Sequence, residues 1–299
     1  MKTIPLNKGS INLPEYWDEL TPKQVLICIG LLHRVLSMEM DPGWARLEML
    51  FAIIRYKPDK SIKDESVREN INFNLIRLSE QLTFAFTIEQ VDNETVKRIV
   101  PHFNFRRNPM PLLKIGKKKY AGKIFNMDIT VKTDIVAKEF IDAFDLYTAI
   151  NKLEDPSSRE ECLNQLCAIL YPSHPEHQKN LVSGQIEQMR MIEPVKKLLI
   201  FYWFTGIIRF YTEHPVYSLL FSGGKEKSED KIGLGMNATA LHLTKQGYGS
   251  MDNMPLNDYF DAQIQSLKDT ISKALADGVK IAEIANQTGI SISTIEKLS

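Results

Sequence analysis

The chain has 299 residues, 43% apolar and 25% charged, which is long enough for two or three domains with real cores. Lysine plus arginine number 37 and aspartate plus glutamate 37, so the formal net charge is zero. That balance argues against a dedicated duplex binder, whose affinity comes from neutralising phosphates, and suits a protein that associates with other proteins.

Residues 1–14 contain a short extended piece, and MKTIPLNKGSINLP has no apolar signal core. Thr21-Pro22-Lys23-Gln24 predicts a helix start, with Thr21 as N-cap, Pro22 at the first helical position and Gln24 completing a capping box. Val25, Ile29, Leu32 and Leu36 carry the period to about Met40, where Asp41-Pro42-Gly43 stops it. A second helix is predicted from Trp44 to about Tyr56 on Leu47, Leu50, Phe51 and Ile54. The polar stretch 57–69 reads as a loop, and Asn72 to Phe86 as a helix.

Residues 87–133 change character, with short alternating pieces (VKRIV, LLKIG, KKYAG, DITVK) that read as strands or extended segments. Helical pattern returns at Ile135–Lys152, and Ser157 or Ser158 is the expected cap of a helix through Leu170. Further helices are predicted over Leu181–Ile192 and Pro194–Phe210. The apolar run Leu198–Ile208 falls well short of the roughly 20 residues a membrane span needs and reads as a buried helix. No membrane partner is expected.

SGGKEKSEDK, within the linker expected at 222–232, separates a main helical domain (1–221) from a small helical domain (233–299). The latter is expected to hold a short helix over 237–245, a glycine-rich turn over 246–250 and a helix from Leu256 to Ala276. It closes with the spacing of a helix-turn-helix. Ile281, Ile284 and Ala285 share a face, Gly289 fits a turn needing φ > 0, and Ile290, Ile295 and Leu298 hold a second helix. The expected fold class is mainly α, multi-helical, with a small β region at about 87–133 and a helix-turn-helix-like end.

Chemistry is sparse. No GxSxG, GxxxxGK[ST], HExxH or dinucleotide fingerprint occurs, and Gly233 and Gly235 follow a linker rather than a strand. Cys28, Cys162 and Cys167 lie in apolar helical contexts and read as small buried hydrophobes in a reducing compartment. His174 and His177 lack a predictable shared face because Pro175 interrupts them. No catalytic residue, metal or cofactor is expected.

Three stretches remain as candidate binding elements. Ser291, Ser293, Thr294 and Lys297 would head a recognition helix, capped by Ser293 or Thr294, though it carries no arginine to grip guanine or phosphate. Arg106, Arg107, Lys114, Lys117, Lys118, Lys119 and Lys123 form the densest basic region. Phe103, Phe105 and Tyr120 there are possible stacking platforms for single-stranded nucleic acid; the alternative is a solvated, lysine-protected hairpin. Tyr202 and Trp203, in the aromatic helix, and Tyr248 are candidate protein contacts, with core packing as the competing reading of the helix.

Several phrases, taken in order, resemble proteins of tailed phages and prophages of Bacteroidetes-type bacteria. They are NLPEYWDELTPKQVLICIGLL, KKKYAG, AKEFIDAFDLYTAI, LNQLCAILYP and GMNATALHLTKQGYGSMDNMPLNDYFDAQIQSLKD, spanning most of 11–268. The chain departs from that pattern at Tyr171-Pro172, which lacks an intervening arginine, and in residues 278–299, which extend past the usual end. The resemblance implies a non-enzymatic tail-assembly chaperone or minor virion component, in the host cytoplasm or the particle, binding tape-measure or tail-tube subunits. A DNA-binding regulator or packaging accessory using the helix-turn-helix is the alternative expectation.

Overall fold

The computed structural model describes residues 1–6, 9–90, 97–127, 131–174, 179–221, 252–288 and 290–298. Helices dominate and the strands pair only two at a time, so the chain is mainly α with a small β region, as its periodicity predicts. The expected linker, the helix over 237–245, the turn with Tyr248, Gly289 and His177 lie outside the described residues, as do the side chains of Thr294 and Lys297.

Two compact units divide the chain: residues 1–131 with 187–206, and residues 132–186 with 207–299. This division does not coincide with the boundary expected near residue 221.

In the first unit, β1 (Lys2–Leu6) pairs with β2 (Gly9–Leu13), and α1 (Pro22–Leu36), α2 (Pro42–Ile54) and α3 (Glu65–Ser79) follow. The Thr21 hydroxyl accepts from the Gln24 N–H at 3.4 Å and the Gln24 side chain accepts from the Thr21 N–H at 2.9 Å, which is the predicted capping box. The amide of Gln24 also donates to the carbonyls of Ala52 and Ile53, at 3.3 and 2.9 Å, satisfying the end of α2. One side chain thus closes the start of one helix and the end of the next.

α3 starts at Glu65 rather than Asn72, because the Asp64 carboxylate accepts from the N–H groups of Ser66 and Val67 and caps it there. It stops at Ser79, and Phe86 opens a strand instead of closing a helix. Antiparallel hairpins follow: β3 (Phe86–Gln90) with β4 (Lys97–Pro101), and β5 (Leu112–Ile115) with β6 (Lys118–Ala121); β7 is Phe125–Met127. The core of this unit forms around Trp17, whose indole N–H donates to the His102 carbonyl at 2.7 Å. Its ring stacks on Phe105 at 5.1 Å and meets Phe84 edge-on at 4.9 Å.

Beyond β8 (Val131–Thr133), the second unit contains α4 (Ala137–Lys152) and α5 (Pro156–Leu170), the latter capped by Asp155 rather than Ser157 or Ser158. α6 (Lys179–Arg190) and α7 (Pro194–Glu213) each cross between units along their length. α8 (Leu256–Ala276), α9 (Ile281–Thr288) and α10 (Ile292–Leu298) complete the chain. Phe140 meets Tyr211 at 5.8 Å and Phe260 at 5.5 Å, both edge-on, and the Tyr211 hydroxyl donates to Asn257 at 2.8 Å. A main-chain bridge between Val136 and Pro255 ties the start of α8 to the start of α4. The first half of α8 therefore belongs to an aromatic core, while its second half carries Ile271 into another cluster.

α7 approaches the main chain of residue 103 at Gly206, where a Cβ would land on the Phe103 carbonyl oxygen. Gly206→Ala is expected to lower stability by about 1–3 kcal/mol through this backbone clash. Thermal unfolding checks it; a midpoint equal to that of the parent would show that the approach relaxes freely.

Candidate functional site

The start of α2, the end of α3 and the β3–β4 hairpin enclose a groove of about 690 Å³ within the first unit. Its walls are mostly apolar: Trp44 and Leu47 from α2, Ile76 from α3, and the directly opposed pair Ile88 and Ile99 from the hairpin. Trp44 is 60% exposed and Ile76 47%. Large apolar side chains left this open along a concave surface mark an interaction site more often than an incidental surface.

Local sequence explains why Trp44 stands there. Asp41 caps α2 by accepting from the N–H groups of Gly43 and Trp44, at 2.8 and 3.0 Å, and Pro42 fixes the first turn. Trp44 is held in that first turn, at the rim, while Ala45, Leu47, Met49 and Leu50 go into the core.

Arg46 also lines the groove. Its guanidinium lies 4.9 Å from the Phe86 ring centroid and donates through Nη2 to the Phe86 carbonyl at 3.3 Å. Its Nε is buried with no hydrogen-bond partner. Burial pulls Arg46 below its ordinary pKa, and the charge of Glu80 opposes that shift. The groove thus offers apolar contact, one unused N–H donor and the exposed carboxylate of Glu80. The carboxylate of Asp41 is committed to the helix cap, and the lining holds neither a histidine nor a cysteine.

None of these residues stood out in the sequence as a site, because the groove joins three segments, the first about thirty residues before the second and the second about ten before the third. The residues that did stand out are placed differently. Tyr202 is 6% exposed and Trp203 fully buried, so their side chains form core rather than a docking face. Tyr202 stacks on Phe103 at 4.7 Å and its hydroxyl is 2.9 Å from Nδ1 of His33. Phe103, Phe105 and Tyr120 are buried as well, which removes them as stacking platforms for bases. Arg106 lies 4.0 Å over the Tyr16 ring, with its own N–H donating to Asp18 at 2.9 Å, and Arg107 pairs with Asp18 at 3.6 Å.

At the C-terminal end, α9 and α10 cross the second half of α8 around Ile271, Ile284, Ile290 and Ile295, with Ala285 against the cluster. Ile281, Ile284, Ala285, Ile290 and Ile295 are positions the helix-turn-helix spacing singles out; Ile271 of α8 is an addition, and the Leu298 side chain lies outside the described residues. α10 begins at Ile292, so Ser291 precedes it where Ser293 or Thr294 was expected to cap. Ser291 and Ser293 are exposed with their hydroxyls 3.1 Å apart.

Among the described residues no group of three or more His, Cys, Asp or Glu side chains is placed to hold a metal ion, and no helix is long and apolar enough to cross a membrane. No family model, no curated protein and no solved structure matches this chain.

The cysteines differ in accessibility. Cys28 and Cys167 are buried and Cys162 is half-buried. Burial pushes the Cys28 thiol up to about 12, so below that pH it stays protonated and unreactive. A thiol reagent at about pH 8 is expected to label Cys162 first, with Cys28 modified only on unfolding. Mass spectrometry of the modified peptides checks the order, and early labelling of Cys28 would contradict its burial.

Proposed function

We propose that this chain is a non-enzymatic phage or prophage protein that works by protein–protein contact, in tail assembly or as a virion component. The groove between α2, α3 and the β3–β4 hairpin supports the contact reading. It combines an exposed tryptophan and an arginine, residue types that dominate binding energy at protein interfaces, with aliphatic walls. The ordered phrases that resemble tailed-phage proteins support the biological setting. In this reading an apolar side chain of a tail-tube or tape-measure subunit fills the groove, and a carbonyl oxygen beside it accepts from Nε of Arg46. That bond satisfies a donor which the free protein leaves buried and unpaired.

The test is to identify the genes beside this one and co-express the tail-tube and tape-measure proteins they encode, followed by capture on a tag; neighbours of neither kind would overturn the proposal. The parent chain is expected to retain one of them. The double variant Trp44→Ala, Ile76→Asp is expected to reduce capture at least about tenfold, with each exposed substitution changing stability by only about 0.5 kcal/mol. Capture of neither protein by the parent, or equal capture by the double variant, would overturn the proposal.

A further inference from the structure

From Lys97 through Lys123 the chain carries nine lysines and arginines and no aspartate or glutamate, so a neutral protein holds a locally uncompensated stretch. The structure sorts these cations. Arg106 and Arg107 are engaged by Tyr16 and Asp18, and Lys123 is buried. Lys114, Lys117, Lys118 and Lys119, on the β5–β6 hairpin, are all exposed. No carboxylate of the described residues lies within ion-pairing distance of any of them.

The hairpin is fixed from one side. Leu113, Ile115 and Tyr120 are buried, and the Tyr120 hydroxyl donates to the side chain of Gln188. At its base, Asn108 donates to the Lys123 carbonyl at 3.0 Å, and the Gly122 N–H donates to Pro111 at 2.9 Å. Its tip is a two-residue turn, Gly116-Lys117, in which Gly116 takes φ +57°, a region open to glycine. On the outer face Lys114 stands directly opposite Lys119, a like-charge pair that destabilises a two-stranded sheet. Protecting a sheet edge needs a charge on each strand; it does not need like charges facing one another. The arrangement raises the energy of the isolated protein and would be relieved by an anion.

We propose that the β5–β6 hairpin is a nucleic-acid backbone site, in which Lys114 and Lys119 of the outer face, with Lys117 in the turn and Lys118 beside it on the other face, bind phosphates without reading sequence. Two observations favour phosphate over an acidic protein face. Lysine is depleted at the core of protein interfaces, whereas its compact ammonium suits phosphate. The outer face also presents no aromatic or arginine for base recognition, which leaves the backbone as the contact. The site is separate from the groove and does not rest on it.

The experiment measures binding of the full chain to a mixed-sequence duplex of about 30 base pairs by fluorescence anisotropy at several salt concentrations. Four phosphate contacts give a log–log salt slope of about −3 to −4, so affinity should fall about a hundredfold between about 50 and 200 mM salt. Changing all four lysines to glutamine should weaken binding at least about tenfold and leave the thermal midpoint equal or higher, since the Lys114–Lys119 repulsion is removed. Changing all four to arginine should preserve binding. Absence of binding at low salt, or equal binding by the glutamine variant, would overturn the proposal. So would loss of binding on Lys297→Glu with the hairpin intact, which would move the contact to residues 281–298. Tighter binding to polyglutamate than to the duplex would overturn it in favour of an acidic protein ligand.

Discussion

Both compact units depend on burying α7, a helix that is apolar around most of its circumference. Residues 202–208 are seven in a row, nearly two turns, and all are buried, so the helix is covered around its whole circumference there and no single layer of structure could cover it. At about 1.5–3 kcal/mol for each large apolar side chain, this one helix carries a substantial share of the hydrophobic stabilisation available to the fold. The two ends are buried by different means. Residues 194–206 belong to the first unit, where Tyr202 stacks on Phe103 and Gly206 leaves the residue-103 carbonyl the space a Cβ would take. Residues 207–213 belong to the second, where Tyr211 joins Phe140, Phe260 and Asn257. The aromatic content that drew attention in the sequence is therefore spent on packing.

What the sequence made legible was local. The capping box at Thr21 and Gln24, the run of short strands over 87–133 and the isoleucine spacing of 281–298 each depend on residues within a few positions of one another. Each appears in the structure at those positions. The start of α3 was missed for an equally local reason: Asp64, inside a polar stretch read as a loop, is a helix cap. The groove was not legible, because it is a product of tertiary contact. Trp44, Ile76, Ile88 and Ile99 belong to three patterns that look unrelated along the chain, and only the packing of α2 on α3 and the pairing of β3 with β4 bring them together. Tyr120 shows the converse. Sequence placed it among lysines as a platform for bases, yet strand alternation turns it to the opposite face from Lys119 and buries it.

Charge behaves in the same way. A net charge of zero is a sum over the chain and carries no information on spacing, while binding responds to charge within about a Debye length, roughly 8–10 Å at moderate salt. The acidless stretch from Lys97 to Lys123 is divided by the fold into cations that serve internal contacts and cations that do not. Asp18 accepts from the Arg106 main chain and pairs with Arg107, holding both near Tyr16. Among the described residues the hairpin lysines have no such carboxylate. Global neutrality thus argues against a protein coated in positive charge and says little about one hairpin.

The groove and the hairpin share a thermodynamic character. Many polar groups of the first unit close on one another, as with Trp17 and the His102 carbonyl or Gln24 and the end of α2, while the buried indole N–H of Trp203 does not. At the groove, apolar area stays in water and Nε of Arg46 is buried without an acceptor; at the hairpin, two ammonium groups face each other across a strand pair. Each is unfavourable in the isolated chain, and each is relieved by a ligand of the opposite character: apolar surface with a carbonyl in the first case, phosphate in the second. Because the first requires dehydration of apolar surface and the second release of counterions, they respond oppositely to salt. Raising ionic strength weakens the hairpin contact and leaves the groove contact in place or strengthens it. The two proposed contacts are therefore ones that ionic strength alone would separate.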